Sequence, residues 1–338
     1  MRKKSGLGAA AITGLLILTS LTGCIEQRDR VEVLKVFHAG SLEVPFEEIE
    51  REFEVLHPEI DVQRESYGSV EAIRQITEVG KNGDVLASAD YSLIPSMMYD
   101  EYADWLIRFA TNDIVLAYNS EMSRYADEIT KDNWYEILRR DEVTFGFSNP
   151  NLDPCGYRSV IVCQLAELHH NDPMILDDLI IGNTAISVSE EVGGHLIKTP
   201  DNLEPNSRKI TIKPKEAELT ALVEVGSLDY YFIYRSVAVQ HNLSFVDLPE
   251  EIDLSKVKYE DLYGKVKLET ADGKIKSGKP IVYGITVPKN SENPELGLEF
   301  VRFVISEGGQ RVFASSGQPP IVPPEGVAIP DEIKDLLG

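Results

Sequence analysis

The sequence predicts an α/β protein made of two units, each built around a largely parallel sheet. Three observations carry that expectation. Over residues 31–89, apolar strand-like runs alternate with helix-period stretches in the order strand, helix, strand, helix, strand. The turns between them are short, which favours right-handed βαβ units. The alternation then restarts after residue 113, as a 338-residue chain of about two domains would require.

The first segment stands outside this pattern. Arg2, Lys3 and Lys4 precede an uncharged run from Ser5 to Gly23, and the first charge after it is Glu26. A basic start, a short apolar middle and a small residue before the break describe a secretory signal. The run is marginal for a membrane span, which needs roughly 20 apolar residues, so an uncleaved anchor helix is the alternative. Leu21-Thr22-Gly23-Cys24 resembles the lipobox of prokaryotic lipoproteins, which implies lipidation at Cys24.

The fold proper opens with a strand at 31–37, turns at His38-Ala39-Gly40-Ser41, and enters a helix with Phe46, Ile49, Phe53 and Leu56 on one face, ending at His57-Pro58. A second strand spans 60–64. Tyr67-Gly68-Ser69 then leads into a helix with Val70, Ile73 and Ile76 on its apolar face, stopped near Gly80 and Gly83. A third strand covers 84–89.

The second unit reads as a strand at 114–118, a helix at 134–138, a strand at 143–147 and a helix at 157–169. After these come a strand at 210–212, a helix at 216–225 and a strand at 231–234. A strand at 280–287 and a helix at 295–306 follow, and the Pro-rich tail from 318 to 330 reads as an extended wrap. Two such units joined by more than one strand place a cleft between them, where ligands of these folds sit.

Composition narrows the function. With 56 acidic against 33 basic residues the formal charge is −23, and loss of the three N-terminal cations makes it −26. Nucleic acid is nearly excluded, because phosphate-backbone binding needs clustered Lys and Arg. The same logic would disfavour a small anion, but net charge describes the outer surface rather than one cleft. In the folded part the cysteines are Cys155 and Cys163. Outside the cell a pair suggests a disulfide, yet a spacing of eight along a helical stretch equally fits two buried thiols.

Three turns share one chemistry: Gly40-Ser41, Gly68-Ser69, and residues 151–156 before a helix. Helix N-termini carry unpaired N–H groups and a partial positive charge, and Gly lets the backbone approach a ligand. Two such turns at neighbouring strand ends form an oxyanion site that needs no cation; singly, each is an ordinary cap. Glu216 and Glu218 lie in the first turn of a helix, where acids are normally solvated dipole partners. Catalytic motifs are missing from the sequence: neither GxSxG nor HExxH occurs, and His169-His170 diverge on a helix.

The runs Val36-Phe37-His38-Ala39-Gly40-Ser41-Leu42, Tyr67-Gly68-Ser69, Asp153-Pro154-Cys155-Gly156-Tyr157-Arg158 and Tyr234-Arg235-Ser236-Val237-Ala238-Val239-Gln240-His241 resemble the archaeal molybdate/tungstate-binding lipoproteins that feed an ABC importer. The resemblance covers nearly the whole mature chain. It implies a two-lobe periplasmic-binding-protein-like fold of type II with the ligand in the interlobe cleft. Residues 1–23 would be the signal peptide, 24–31 a tether, 32–112 with 284–338 lobe I, and 113–283 lobe II.

By the same resemblance, Gly40, Ser41 and Ser69 donate from lobe I, and Asp153, Pro154 and Cys155 form the second-lobe turn, Pro154 having no N–H to offer. Asp153 and Glu218 would coordinate the metal of the oxyanion directly, raising its coordination from four to six, with Glu216 the alternative to Glu218. Tyr234, or Ser236 in a shifted register, would supply another donor. The expected protein is a lipid-anchored extracellular monomer without enzymatic activity or cofactor, binding tungstate or molybdate and partnering a membrane permease. The competing readings are a receptor for sulfate or phosphate, and a surface hydrolase using Asp153 and Glu218 as acid and base.

Overall fold

The computed structural model describes residues 32–331, 334 and 337. The expected signal segment, the Cys24 lipidation site and the tether lie outside the described residues. No helix among the described residues is long and apolar enough to cross a membrane.

The first lobe is a six-stranded sheet in the order Pro320–Val327, Leu106–Thr111, Val282–Thr286, Val85–Ser88, Glu32–Ala39, Ile60–Tyr67. Its N-terminal half is parallel, as the βαβ reading requires: Glu32 pairs with Ile60 through to Ala39 with Tyr67, and Val36 with Val85. The helix Glu43–Leu56 buries Pro45, Phe46, Ile49 and Phe53, and its end is marked by the His57 N–H donating to the Phe53 carbonyl at 2.9 Å. The helix Ser69–Thr77 buries Ala72, Ile73 and Ile76 on the other face of the sheet. Leu56 and Val70, assigned to apolar faces from periodicity, are exposed; both sit in terminal turns, where the stripe has run past the sheet beneath it.

Three antiparallel members complete the sheet. Val282–Thr286 pairs with both Val85–Ser88 and Leu106–Thr111, so this strand belongs to the first lobe from Val282, two residues ahead of the boundary expected at 284. The Pro-rich tail is itself a strand, with Gly326 opposite Ile107.

The second lobe holds a five-stranded sheet ordered Ser244–Val246, Ile114–Tyr118, Tyr230–Tyr234, Phe145–Ser148, Ile210–Lys213. Tyr230–Tyr234 runs parallel to Phe145–Ser148 and antiparallel to Ile114–Tyr118. The helix Pro154–His170 buries ten residues from Cys155 to Ala166, and Leu219 and Val223 of the helix Glu216–Glu224 join the same core. A small third sheet, Ser187–Glu191, Gly194–Lys198, Val266–Glu269 and Ile275–Ser277, seals one side through Ile197, Val266 and Leu268. Cys155 and Cys163 are both buried and free, so no disulfide joins them.

Between the two large sheets the chain crosses at Asn112-Asp113 and returns at Ile281. The Asn112 N–H donates to the Ile281 carbonyl at 2.9 Å, and the Ile281 N–H to the Leu254 carbonyl at 2.7 Å. Arg235 clamps Asp113 with two hydrogen bonds of 2.7 Å. Paired crossing strands with charge-assisted clamping set the two lobes facing one another across a cleft.

Candidate oxyanion site

The first-lobe wall comes from the carboxyl ends of two adjacent parallel strands. After Ala39 the chain makes a single 3-10 turn at Gly40–Leu42 and enters its helix; after Tyr67, Gly68 caps the Ser69–Thr77 helix. Because the strands are neighbours in register, both turns open on one place. The Ser69 hydroxyl oxygen accepts from the Ala89 N–H at 3.0 Å, which leaves its proton free to donate outward. The Ser41 carbonyl accepts from the Gln318 side chain at 2.6 Å, so the C-terminal part of the chain steadies this turn.

The second-lobe wall is made by two helix N-termini. Asp153 caps the helix Pro154–His170, its Oδ1 accepting from the Cys155 N–H at 2.9 Å, while Pro154 occupies the first helical position, where no N–H is needed. Its Oδ2 accepts from the N–H of Glu216 at 3.1 Å, the first residue of the helix Glu216–Glu224. One carboxylate thus joins two helix starts. Gly156 permits the approach: a Cβ there would lie 2.0 Å from the Ser148 carbonyl oxygen.

The cleft between the walls has a volume of about 240 Å³. Of the residues singled out in the sequence, Gly40, Ser41, Ser69, Asp153, Pro154 and Tyr234 line it. Glu216 lines it as well, whereas Glu218 is exposed and lies outside it. The preference for Glu218 is therefore corrected. Two positions along a helix turn the side chain by about 200°, and the hydrogen bond to Asp153 fixes position 216 as the one facing in.

Cys155 is fully buried with its N–H given to Asp153, and it does not line the cleft. Nor does Ser236, whose hydroxyl accepts from the Asn112 side chain at 2.8 Å within the crossover; at the end of the second-lobe strand it is Tyr234 that reaches the cleft. The hydrolase pairing of Asp153 with Glu218 has no common site, because Glu218 points to solvent. Sequence reasoning missed Asn112, Arg158 and Tyr283, which also line the cleft. Arg158 stands inside the Asp153–Arg158 run, but nothing in its spacing sets it apart from a solvent-facing helix arginine.

Electrostatically the cleft is mixed. Burial, then the hydrogen bond to Asp153 and its negative charge, push the Glu216 carboxyl up to about 7. Burial pushes the Tyr234 phenol well up, so it stays protonated and able to donate. Arg158 donates from Nη1 to the Tyr234 hydroxyl and supplies a full positive charge. A larger recess of about 370 Å³, lined by Lys256, Lys258 and Pro319 among others, lies away from the paired helix N-termini and does not share these donors.

Residues 34–318 match the family model described as bacterial extracellular solute-binding protein. An uncharacterized solute-binding protein of Methanoculleus marisnigri is 50% identical over 308 residues, spanning 90% of this chain and 86% of that relative. The molybdate/tungstate-binding protein WtpA of Thermococcus kodakarensis is 44% identical over 351 residues, covering 99% of this chain and 97% of its own. Among solved structures, the substrate-binding domain of a putative molybdenum ABC transporter from Clostridium difficile superposes with a TM-score of 0.59 at 19% identity, over 86% of this chain and 99% of that one. That likeness shows the two-lobe fold.

Proposed function

The chain belongs to the bacterial extracellular solute-binding protein family, a family of binding proteins rather than enzymes, and from that premise we propose that its cleft captures tungstate or molybdate for delivery to the permease of an ABC importer. The relatives named molybdate/tungstate-binding protein, 44% and 45% identical over nearly the full length, support the choice of ligand. The single observation that carries it is the pairing of Asp153 and Glu216 on one wall, opposite the Ser41 and Ser69 turns on the other.

A second carboxylate beside a dianion would ordinarily repel it by several kcal/mol in a shielded cleft. Direct contact between carboxylate oxygen and the metal centre reverses the sign. Tungsten and molybdenum in these oxyanions are hard centres that suit hard oxygen ligands, and they can expand from four to six ligands. Sulfur and phosphorus in sulfate and phosphate are smaller and do so far less readily. Asp153 and Glu216 would thus attract the first pair of anions and repel the second. The Ser41 and Ser69 hydroxyls, the backbone N–H groups of their turns and the Tyr234 hydroxyl would hold the remaining oxygens.

Isothermal titration with tungstate, molybdate, sulfate and phosphate tests the proposal. Tight binding of the first two with weak or no binding of the others is the expected result; equal displacement by sulfate would overturn carboxylate coordination and favour a general anion receptor. The mature protein is proposed to be a monomer tethered outside the cell through lipid on Cys24. Cys24→Ala should move it from the membrane fraction to the medium, whereas continued tethering would identify an uncleaved anchor helix.

A further inference from the structure

Arg158 carries the one formal positive charge on the cleft wall. It stands just past the first turn of the Pro154–His170 helix, half-buried. Among the described residues, no carboxylate lies within ion-pair distance of it, and its one hydrogen bond goes to the Tyr234 hydroxyl. Other partly buried arginines of this molecule are paired. Arg235 holds Asp113 and Asp247 at 2.7 and 2.6 Å, and Arg139 holds Asp172 at 2.6 Å.

In a chain with 56 acidic residues, carboxylates are abundant. Withdrawing a guanidinium from water without one is costly. The rings of Tyr157 and Tyr234, centred 5.4 and 5.6 Å away, compensate in part. The four other N–H groups of the fork are left for a partner.

The hydrogen bond to Tyr234 has a direction. The phenolic oxygen accepts from Arg158, so its own proton must point elsewhere, and burial keeps that proton in place. Two carboxylates share the same wall. We propose that Arg158 makes this acidic cleft receptive to a dianionic oxyanion, its charge offsetting Asp153 and Glu216 while its hydrogen bond holds the Tyr234 hydroxyl as a donor toward the bound anion. The assignment rests on the oxyanion-binding reading above and adds the cation that reading lacks.

The test is titration of tungstate into the wild-type protein, Arg158→Gln, Arg158→Lys and Tyr234→Phe, at low and high salt, with circular dichroism to confirm folding. Arg158→Gln should bind roughly 100-fold more weakly, with a flattened salt dependence, because the attracting charge is gone. Arg158→Lys should keep the salt dependence and lose about 10-fold, since an ammonium lacks the planar fork. Tyr234→Phe should cost about 10-fold in the wild-type background and less than about 2-fold beside Arg158→Gln, the signature of coupled residues.

A folded Arg158→Gln protein with wild-type affinity and salt dependence would overturn the assignment. Should that variant not fold, a folded Arg158→Met protein with wild-type affinity and salt dependence would overturn it equally. Absence of oxyanion binding by the wild-type protein would instead overturn the parent reading, and this one with it.

Discussion

Asp153 and Glu216 meet through the main chain before they meet through their acids: the Glu216 N–H donates to Asp153 Oδ2 at 3.1 Å. That bond fixes which acid of the Glu216–Glu224 helix faces the cleft. Glu216→Gln should therefore erode the preference for tungstate over sulfate by about 10-fold or more, as loss of one hard oxygen ligand implies. Glu218→Gln should leave both affinities within about 2-fold, as expected of an exposed side chain. Competition titration reads the difference, and a larger effect at Glu218 would reverse the assignment.

Ser69 serves two partners. Its oxygen accepts from the Ala89 N–H and its proton is available to the anion. Ser69→Ala should weaken binding roughly 10- to 150-fold, the range for one hydrogen bond to a charged group of about 1.5–3 kcal/mol. Equilibrium binding of tungstate measures this, and a loss under about 2-fold would mean that the hydroxyl does not face the ligand.

The crossover contains its own acid. Burial first, and then the charge of Asp113, raise Asp253 to about 7, against an ordinary Asp value of about 3.9. The folded protein thus holds this proton more tightly than the unfolded chain does. The associated stability is complete below about pH 4 and is lost as pH rises through about 7. Urea denaturation should show stability falling by on the order of 2–4 kcal/mol across that window from this group. Asp253→Asn, which keeps an oxygen to accept from the Ser255 N–H, should flatten the profile, and an unchanged slope would show that Asp253 is not the titrating group.

Gly156 is the closest approach of helix to strand at the site. With a Cβ placed 2.0 Å from the Ser148 carbonyl oxygen and 2.7 Å from its carbon, Gly156→Ala has only backbone to push against. It should destabilise by about 1–3 kcal/mol or more and weaken tungstate binding by displacing Asp153. Parallel urea and binding titrations would expose a silent substitution at once.

Periodicity alone located most elements that carry a buried stripe or a fully buried strand. Phe46, Ile49 and Phe53 marked the first helix, and the Ile114–Tyr118 strand lies where its apolar run put it. The third sheet escaped because its strands are short and largely exposed: Ser187–Glu191 has no buried residue. Leu106–Thr111 was missed although five of its six residues are buried; the helix before it, Leu93–Met98, has six residues, too few to display a helical period in the sequence. At the site, the Gly-Ser turns were readable as anion donors because strand adjacency follows from βαβ topology. The choice between Glu216 and Glu218 depended on helix phase against a distant loop, which neighbouring sequence does not encode. Arg158 was hidden for the opposite reason: one arginine on a helix ordinarily belongs to solvent, and its missing carboxylate partner is visible only in three dimensions.

The antiparallel pairing of Pro320–Val327 with Leu106–Thr111 has a consequence for the order of assembly. The first sheet needs strands whose ends lie at Glu32 and Val327, so its last strand cannot add until the chain has emerged as far as Val327. The five strands of the second large sheet fall within 114–246, an unbroken stretch that can condense earlier. A chain released short of its last twenty residues would present the bare edge of Leu106–Thr111 to its neighbours, the kind of edge on which strands of other molecules add.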